Sequence, residues 1–488
     1  MTRIAIIPID NRPVTYSLPK QIGEIDQDIE ILLPPRNLLG DLRVQADSVS
    51  ILKWLAGLKD IDVLIVSLDT IAYGGLIPSR FCNDSKKKII SRLDKLKKLI
   101  VIKRLNTYAM SSIMRISNNN INEEEKPYWS MFGKRIFEYS YAAHKAEETN
   151  AKEDIKRFKK AKNQIPDEIL TDYLETRERN FEINLKYLEW AKEGVLKALV
   201  FSKDDCARYG INVQEANELE RLSEGFDEIF VKTGADEIPL TLLSRAIIDD
   251  RMQDVRILPV FTCQQGIDNI SNYEDISVYE SVKGQIELAG ASMVERDITI
   301  EDLKNREVIE NTGANLVLIV NNFEEKQGEL VLGKAADGEI AEYYIPDFNY
   351  FAADIKNANG GDNSFAKYIL KHLPDEHFFG YAGWNTTGNS LGSAISCAVV
   401  KLGAENRDEE KFNRVQMIRF LDDWGYQANV REFLKLKHKS MDIDILTAAM
   451  KVFEEKLRKI FDIKEKIKYS LPWKRTFEIE VEIKEIKK

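Results

Sequence analysis

The chain has 488 residues, 44% hydrophobic and 31% charged, with 80 acidic against 70 basic side chains and a net charge of -10. That length exceeds the ~250–300 residues at which a single core stops growing, so two lobes or one large barrel with insertions are expected. The acidic balance argues against a polyanion-binding surface, which needs clustered positive charge, and so against nucleic acid as a partner.

Short β-branched runs alternate with longer amphipathic stretches, the pattern of an α/β protein with mostly parallel strands. Strands are predicted at residues 3–9, 29–33, 62–68, 106–114, 197–202, 227–232, 256–262, 315–321 and 377–382, with weaker runs at 291–295 and 342–346. "DVLIVSL" and "NLVLIVN" are almost continuously apolar, as strands covered by helices on both faces are. At about 120–194 the chain is charged and helical with no strand, an insertion between two βα units that either covers a site or is a solvated helical hairpin. Beyond it, Val213, Ala216, Leu219 and Leu222 share one helical face, and Asn212 with Glu215 reads as a capping box. From about 405 the pattern is helical again and closes on the strand-like alternation "TFEIEVEIKEIKK". The expected organisation is an N-terminal α/β lobe over 1–250 carrying the insertion, a second α/β lobe over 251–404, and a helical C-terminal extension over 405–488 with a final strand. Two packed doubly wound lobes, with a cleft between their strand ends, are preferred to a (β/α)8-like barrel.

Four cysteines, Cys82, Cys206, Cys263 and Cys397, form no CxxC pair, so neither a disulfide framework nor a zinc signature is present. The histidines His144, His372, His377 and His438 show no HxH or HExxH spacing. The first residues enter a strand-like run at once, and no apolar run nears the ~18 residues that cross a bilayer, so a cytoplasmic protein without a membrane partner is expected. Neither a P-loop nor GxGxxG occurs, which points away from a nucleotide cofactor. Oligomeric state is not readable from the sequence.

In α/β folds the ligand site forms beyond the carboxyl ends of the strands. There the sequence places Asp10, Asn11 and Arg12 after the first strand, Arg36 after the second, Asp69, Tyr73 and Arg80 after the third, and Arg115 after the fourth. Lys203, Asp204 and Asp205 follow the fifth, Asp236 and Glu237 the sixth, and Trp384 and Asn385 the last. Two carboxylates held at different potentials can serve as acid and base, which makes Asp204 and Asp205, with Asp69 and Glu237, the catalytic candidates. Asp10, Asn11, Arg12, Arg36, Tyr73, Arg115, Lys203, Trp384 and Asn385 are the substrate-binding candidates. The competing reading makes such residues helix caps, Asp236 above all, since a helix opens directly after it with Pro239 in its first turn. A carboxylate rim also suits Mg²⁺, Mn²⁺ or Ca²⁺, and the sequence leaves a divalent cation open. "GNSLG" fits the GxSxG nucleophile elbow, but "WNTT" separates it from the strand and pushes Ser390 into the helix, so a serine hydrolase is not preferred.

The ordered set "PIDNRPV", "LLPPRNLLGD", "VSLDTIAYGGLIPSR", "SSIMR", "SKDDCARYG", "KTGADE", "NANGGDN" and "YAGWNTTGNSLG" spans almost the whole chain and resembles the bacterial family known as domain of unknown function 4127. That resemblance implies no particular reaction. The pair Asp204 and Asp205 ahead of "ARYG" is also loosely similar to the catalytic aspartate pairs of some hexosaminidases. From the rim alone, the expectation is a hydrolase, in the first place a glycoside hydrolase acting on a small sugar derivative through paired carboxylates. The alternatives are a divalent-metal-dependent hydrolase at the same rim and a non-catalytic two-lobed binding protein.

Overall fold

The structure, a computed structural model, describes residues 1–204, 206–336, 343–435 and 442–484. Six parallel strands form the first sheet: β1 (Thr2–Ile7), β2 (Ile29–Leu32), β3 (Val63–Ser67), β4 (Asn106–Ile113), β5 (Ala198–Lys203) and β6 (Ile229–Thr233), in the order β2-β1-β3-β4-β5-β6. A second parallel sheet combines β7 (Arg256–Phe261), β8 (Ser292–Met293), β9 (Leu316–Asn321), β11 (Tyr350–Asp354) and β13 (Phe378–Ala382), with β10 (Gly328–Glu329) and β12 (Asn357–Ala358) pairing beside it. Its order, β8-β7-β9-β11-β13, repeats the rule of the first: the opening strand sits second, and the order reverses between it and the next strand but one. Both sheets are open, so the chain is an α/β protein with two doubly wound lobes, and no closed barrel forms among the described residues.

The strand runs divide their side chains between two faces. Ile4 and Ile6 enter one core cluster while Ala5 and Ile7 enter another, and β3 and β9 are buried at every position, as their apolar runs predict. The cluster holding Ile4, Ile65, Met110 and Val200 also holds Val260, Val317, Ile319 and Ala352, so a single apolar core runs from one lobe into the other. Helix Ile238–Arg251 lies in that junction, packed on β3 and β4 on one side and on helix Thr387–Gly403 on the other, and it is buried at almost every position through Ile248.

The predicted insertion comprises helices Trp129–Thr149 and Lys152–Lys162, which build a small core of their own, and helix Asp167–Lys192, which returns along β4 and β5. The C-terminal segment is helical, then folds β14 (Lys466–Ser470) against β15 (Glu480–Lys484) as an antiparallel ribbon separate from both large sheets.

Three local expectations are corrected. The weak strand at 342–346 is replaced by β11: residue 342 lies outside the described residues, and 343–346 are irregular. Asn212 and Glu215 form no capping box, because Glu215 pairs with Arg177 and the helix start is satisfied by His144 and Ser140, which accept from Gly210 N–H and Ile211 N–H. Asp236 does not cap helix Ile238–Arg251, because Arg12 engages its carboxylate.

"GNSLG" is a packing device. Gly388 and Gly392 are four residues apart on one helical face, against which Glu237 lies; a Cβ on Gly392 would stand 2.5 Å from Glu237 Cγ. Ser390 is buried and donates to the Trp384 carbonyl. Gly392→Ala is therefore expected to cost about 1–3 kcal/mol by overpacking the joint, read as a lowered midpoint in urea unfolding; an unchanged midpoint would contradict this contact.

Candidate functional site

A cleft of about 320 Å³ opens where the two lobes meet. Its first-lobe wall carries Arg12, Arg80, Arg115, Glu124, Lys203, Asp204 and Asp236 from the loops after β1, β3, β4, β5 and β6. The second lobe supplies Tyr273, Glu274, Asn359, Asn385 and Asn389, and the C-terminal segment closes the space with Arg431, Arg475 and Phe477. Strand ends of both sheets thus face one another across it, the position where open α/β sheets bind ligands.

Charge is densely paired on the first-lobe wall. Arg12 donates from Nε to Asp10 (2.9 Å) and from Nη1 to Asp236 (3.1 Å), with Glu478 at 3.9 Å. Asp204 accepts from Arg80 Nη2 at 3.2 Å and lies 3.5 Å from Arg115 Nη1. Glu124 gathers Arg115 (2.7 Å), Arg80 (3.3 Å) and Arg475 (2.7 Å); burial opposes its charge, but the three guanidiniums outweigh this and hold the carboxyl well below the usual range. Lys203 is met by Asp275 at 2.7 Å. Such networks are costly to open, since removing one member strands its partners in a buried setting.

The opposite wall is different. Burial pushes the Glu274 carboxyl up to about 7, although it accepts from Ser281 Oγ and from Gly388 N–H at 2.9 Å. Tyr273, Asn359 and Asn385 all adopt left-handed backbone, at φ of 70, 65 and 57°. Asparagine tolerates that region, but a tyrosine there is a genuine outlier, and backbone strain of this kind gathers at ligand sites.

Of the residues predicted from the strand ends, the cleft brings together Arg12, Arg80, Arg115, Lys203, Asp204, Asp236 and Asn385, with Asp10 just behind Arg12. Asp205 lies outside the described residues. The remaining candidates stand elsewhere. Asp69 is enclosed in the first lobe, accepting from Ser112 N–H at 2.8 Å, and burial lifts it to about 7. Tyr73 is buried near it beneath the Arg179 guanidinium. Glu237 is sealed in the lobe joint, accepting from Ala235 N–H (3.1 Å) and Gln285 Nε2 (2.9 Å). Trp384 is core, edge-on to Phe477. Asn11 and Arg36 fasten the C-terminal ribbon, Asn11 accepting from Trp473 Nε1 at 2.7 Å and Arg36 pairing with Glu480. Absent from the prediction are Glu124, Glu274, Tyr273, Asn359, Asn389, Arg431 and Arg475. The "NEEEK" run that contains Glu124 has the look of a solvated charge cluster, and nothing local marks the two late arginines.

The family model for a protein of unknown function, DUF4127, matches residues 4–482. The chain belongs to the DUF4127 family. A search of curated proteins found no match. In this DUF4127 member the described residues contain no group of three or more His, Cys, Asp or Glu side chains arranged to hold a metal ion. No described helix is long and apolar enough to cross a membrane.

Glu237 yields a pH signature. Burial raises its folded-state value to about 8, whereas the unfolded value is ~4.3. Folding therefore takes up a proton, and the associated stability is full below ~4.3 and lost as pH rises through about 8. Glu237→Gln is expected to flatten the decline of thermal midpoint between pH 5 and 8.5; an unaltered slope would mean that Glu237 is not held in its neutral form.

Proposed function

We propose that the interlobe cleft is a binding site for a small polar molecule, held between the strand ends of the two lobes and covered by the C-terminal segment. The supporting observation is the composition of the cleft wall: three separate parts of the chain contribute buried polar side chains to one space large enough for a compact ligand. Of the catalytic candidates, Asp69 and Glu237 are turned away from this space, and Asp204 is clamped by Arg80 and Arg115. A binding role asks only that such groups be fixed.

Hydrolysis of a small sugar derivative in the same cleft is the second reading, and Glu274 is the observation that favours it. A carboxyl raised to about 7 on the wall facing an arginine-clamped Asp204 supplies two unlike carboxylates, the pairing that acid–base chemistry uses. In that case Glu274 donates the proton to the leaving group.

The two readings separate in one set of measurements. Sugars, amino sugars and phosphosugars are screened for thermal stabilisation of wild type, Asp204→Asn and Glu274→Gln. A ligand at 100 times its Kd adds ~2.7 kcal/mol, and Asp204→Asn, which loosens the Arg80 and Arg115 side chains, is expected to lose most of that gain. Turnover by wild type that disappears in Glu274→Gln while binding persists supports hydrolysis. Stabilisation without turnover supports binding alone, and equal stabilisation of Asp204→Asn and wild type would place the ligand outside the cleft.

A further inference from the structure

Arg431 differs from the other cations of the cleft. Arg12, Arg80, Arg115, Arg475 and Lys203 each have a carboxylate partner. Arg431 makes no salt bridge among the described residues, yet it is only 5% exposed. Both of its hydrogen bonds leave from Nη1 and end on neutral amides, Gln427 Oε1 at 2.9 Å and Asn359 Oδ1 at 3.3 Å, while Nε has no partner. The guanidinium plane rests on Phe477, 5.1 Å from the ring centroid, so its position is fixed from three sides.

None of the nearby carboxylates forms a salt bridge with Arg431 among the described residues, and two of them are engaged elsewhere. Asp422 is taken by Arg419 (2.9 Å) and Gln427 (3.2 Å), and Glu329 accepts from Asn359 (2.8 Å) and Tyr273 (2.8 Å), while Glu478 forms no salt bridge with Arg431 and lies 3.9 Å from Arg12 with its Oε1 accepting no hydrogen bond. Burial accordingly lowers the Arg431 guanidinium from its ordinary value, against the pull of Tyr426, Asp422, Glu329 and Glu478. A buried cation without a counter-ion is a costly arrangement, and Arg presents a planar fork suited to carboxylate and phosphate oxygens. On the second-lobe wall of the same cleft, Asn389 Oδ1 is a buried acceptor without a donor.

We infer that the cleft takes a hydroxylated organic anion whose carboxylate or phosphate is the counter-ion of Arg431 and whose hydroxyl donates to Asn389 Oδ1. The inference rests on the cleft being the ligand site, and it names the ligand's class. The route by which Arg431 arrives also bears on it. From Phe420 to Val430 the helix widens to π-type turns, a rare form found at functional sites. That stretch is tied to the second lobe through Gly383 N–H, which donates to Asp423 at 2.8 Å, and to the later part of the C-terminal segment through Gln427, which donates to the Phe477 carbonyl at 3.1 Å.

The test uses the full chain at fixed ionic strength, with D-gluconate, inorganic phosphate and D-glucose as probes, on wild type, Arg431→Met and Val331→Trp, the last filling the cleft from its wall. Wild type is expected to be stabilised by gluconate or phosphate, the responsive probe identifying the anionic group, and little by glucose. Arg431→Met is expected to bind that anion at least about 30-fold more weakly. Without ligand, the same variant is expected to melt about 1–3 °C higher, because an unneutralised buried charge is gone. A ligand-free Arg431→Met that melts several degrees lower, or one that keeps the anion response, overturns the assignment. If Arg431→Met keeps that response while Val331→Trp loses it, the cleft stands as the binding site and only the role of Arg431 falls; if Val331→Trp keeps it too, both readings fall.

Discussion

Everything in this molecule hangs on one helix that is buried at nearly every position through Ile248. Ile238–Arg251 closes the first lobe by packing on β3 and β4, and it simultaneously serves as the floor on which helix Thr387–Gly403 of the second lobe rests. A helix buried this completely over Ile238–Ile248 needs packing on more than one side, and it takes that from both lobes. The shared core follows, with strands of both sheets in one apolar cluster. So does the position of the cleft, since the helix begins directly after Gly234, Ala235 and Asp236, and docking it brings the strand ends of one lobe opposite those of the other.

Polar groups at the joint then follow from close approach. Gly388 and Gly392 leave room for Glu237, which enters the contact between the lobes and finds Gln285 and a backbone N–H in place of water. A few ångströms further out, Asp236 faces the cleft and pairs with Arg12. Two adjacent carboxylates are thereby assigned opposite surroundings by the start of one helix: Glu237 sealed in a neutral lining, Asp236 matched to a cation.

Strand prediction succeeds where a β-branched run stands between turn residues, and all nine strong predictions coincide with strands. β11 escapes because "YFAAD" contains two alanines and ends in an acid, while the more apolar "YYI" upstream is irregular. The site is legible in part for a related reason. Arg12, Arg115, Lys203, Asp204 and Asn385 stand next to readable strands, and parallel strands gather their ends at one rim. Asp69, Tyr73 and Glu237 stand there too, but rim position does not say whether a side chain turns toward the cleft or back into the protein, which only packing decides. Arg431 and Arg475 are invisible to that logic, since they follow no strand of either sheet and reach the cleft through the fold of the C-terminal segment.

That segment ties the far end of the chain to its beginning. Trp473 donates to Asn11 and has the guanidiniums of both Arg12 and Arg475 over its ring, and Phe477 lines the same cleft as Arg12. A wall that needs both residue 12 and residue 477 cannot be complete before residue 477 has left the ribosome. The two lobes can collapse in the order of their synthesis, but a nascent chain lacks this cleft until Arg431, Arg475 and Phe477 have emerged. Until then the arginines and carboxylates of the first lobe must pair with one another, without the side chains that later close the cleft over them.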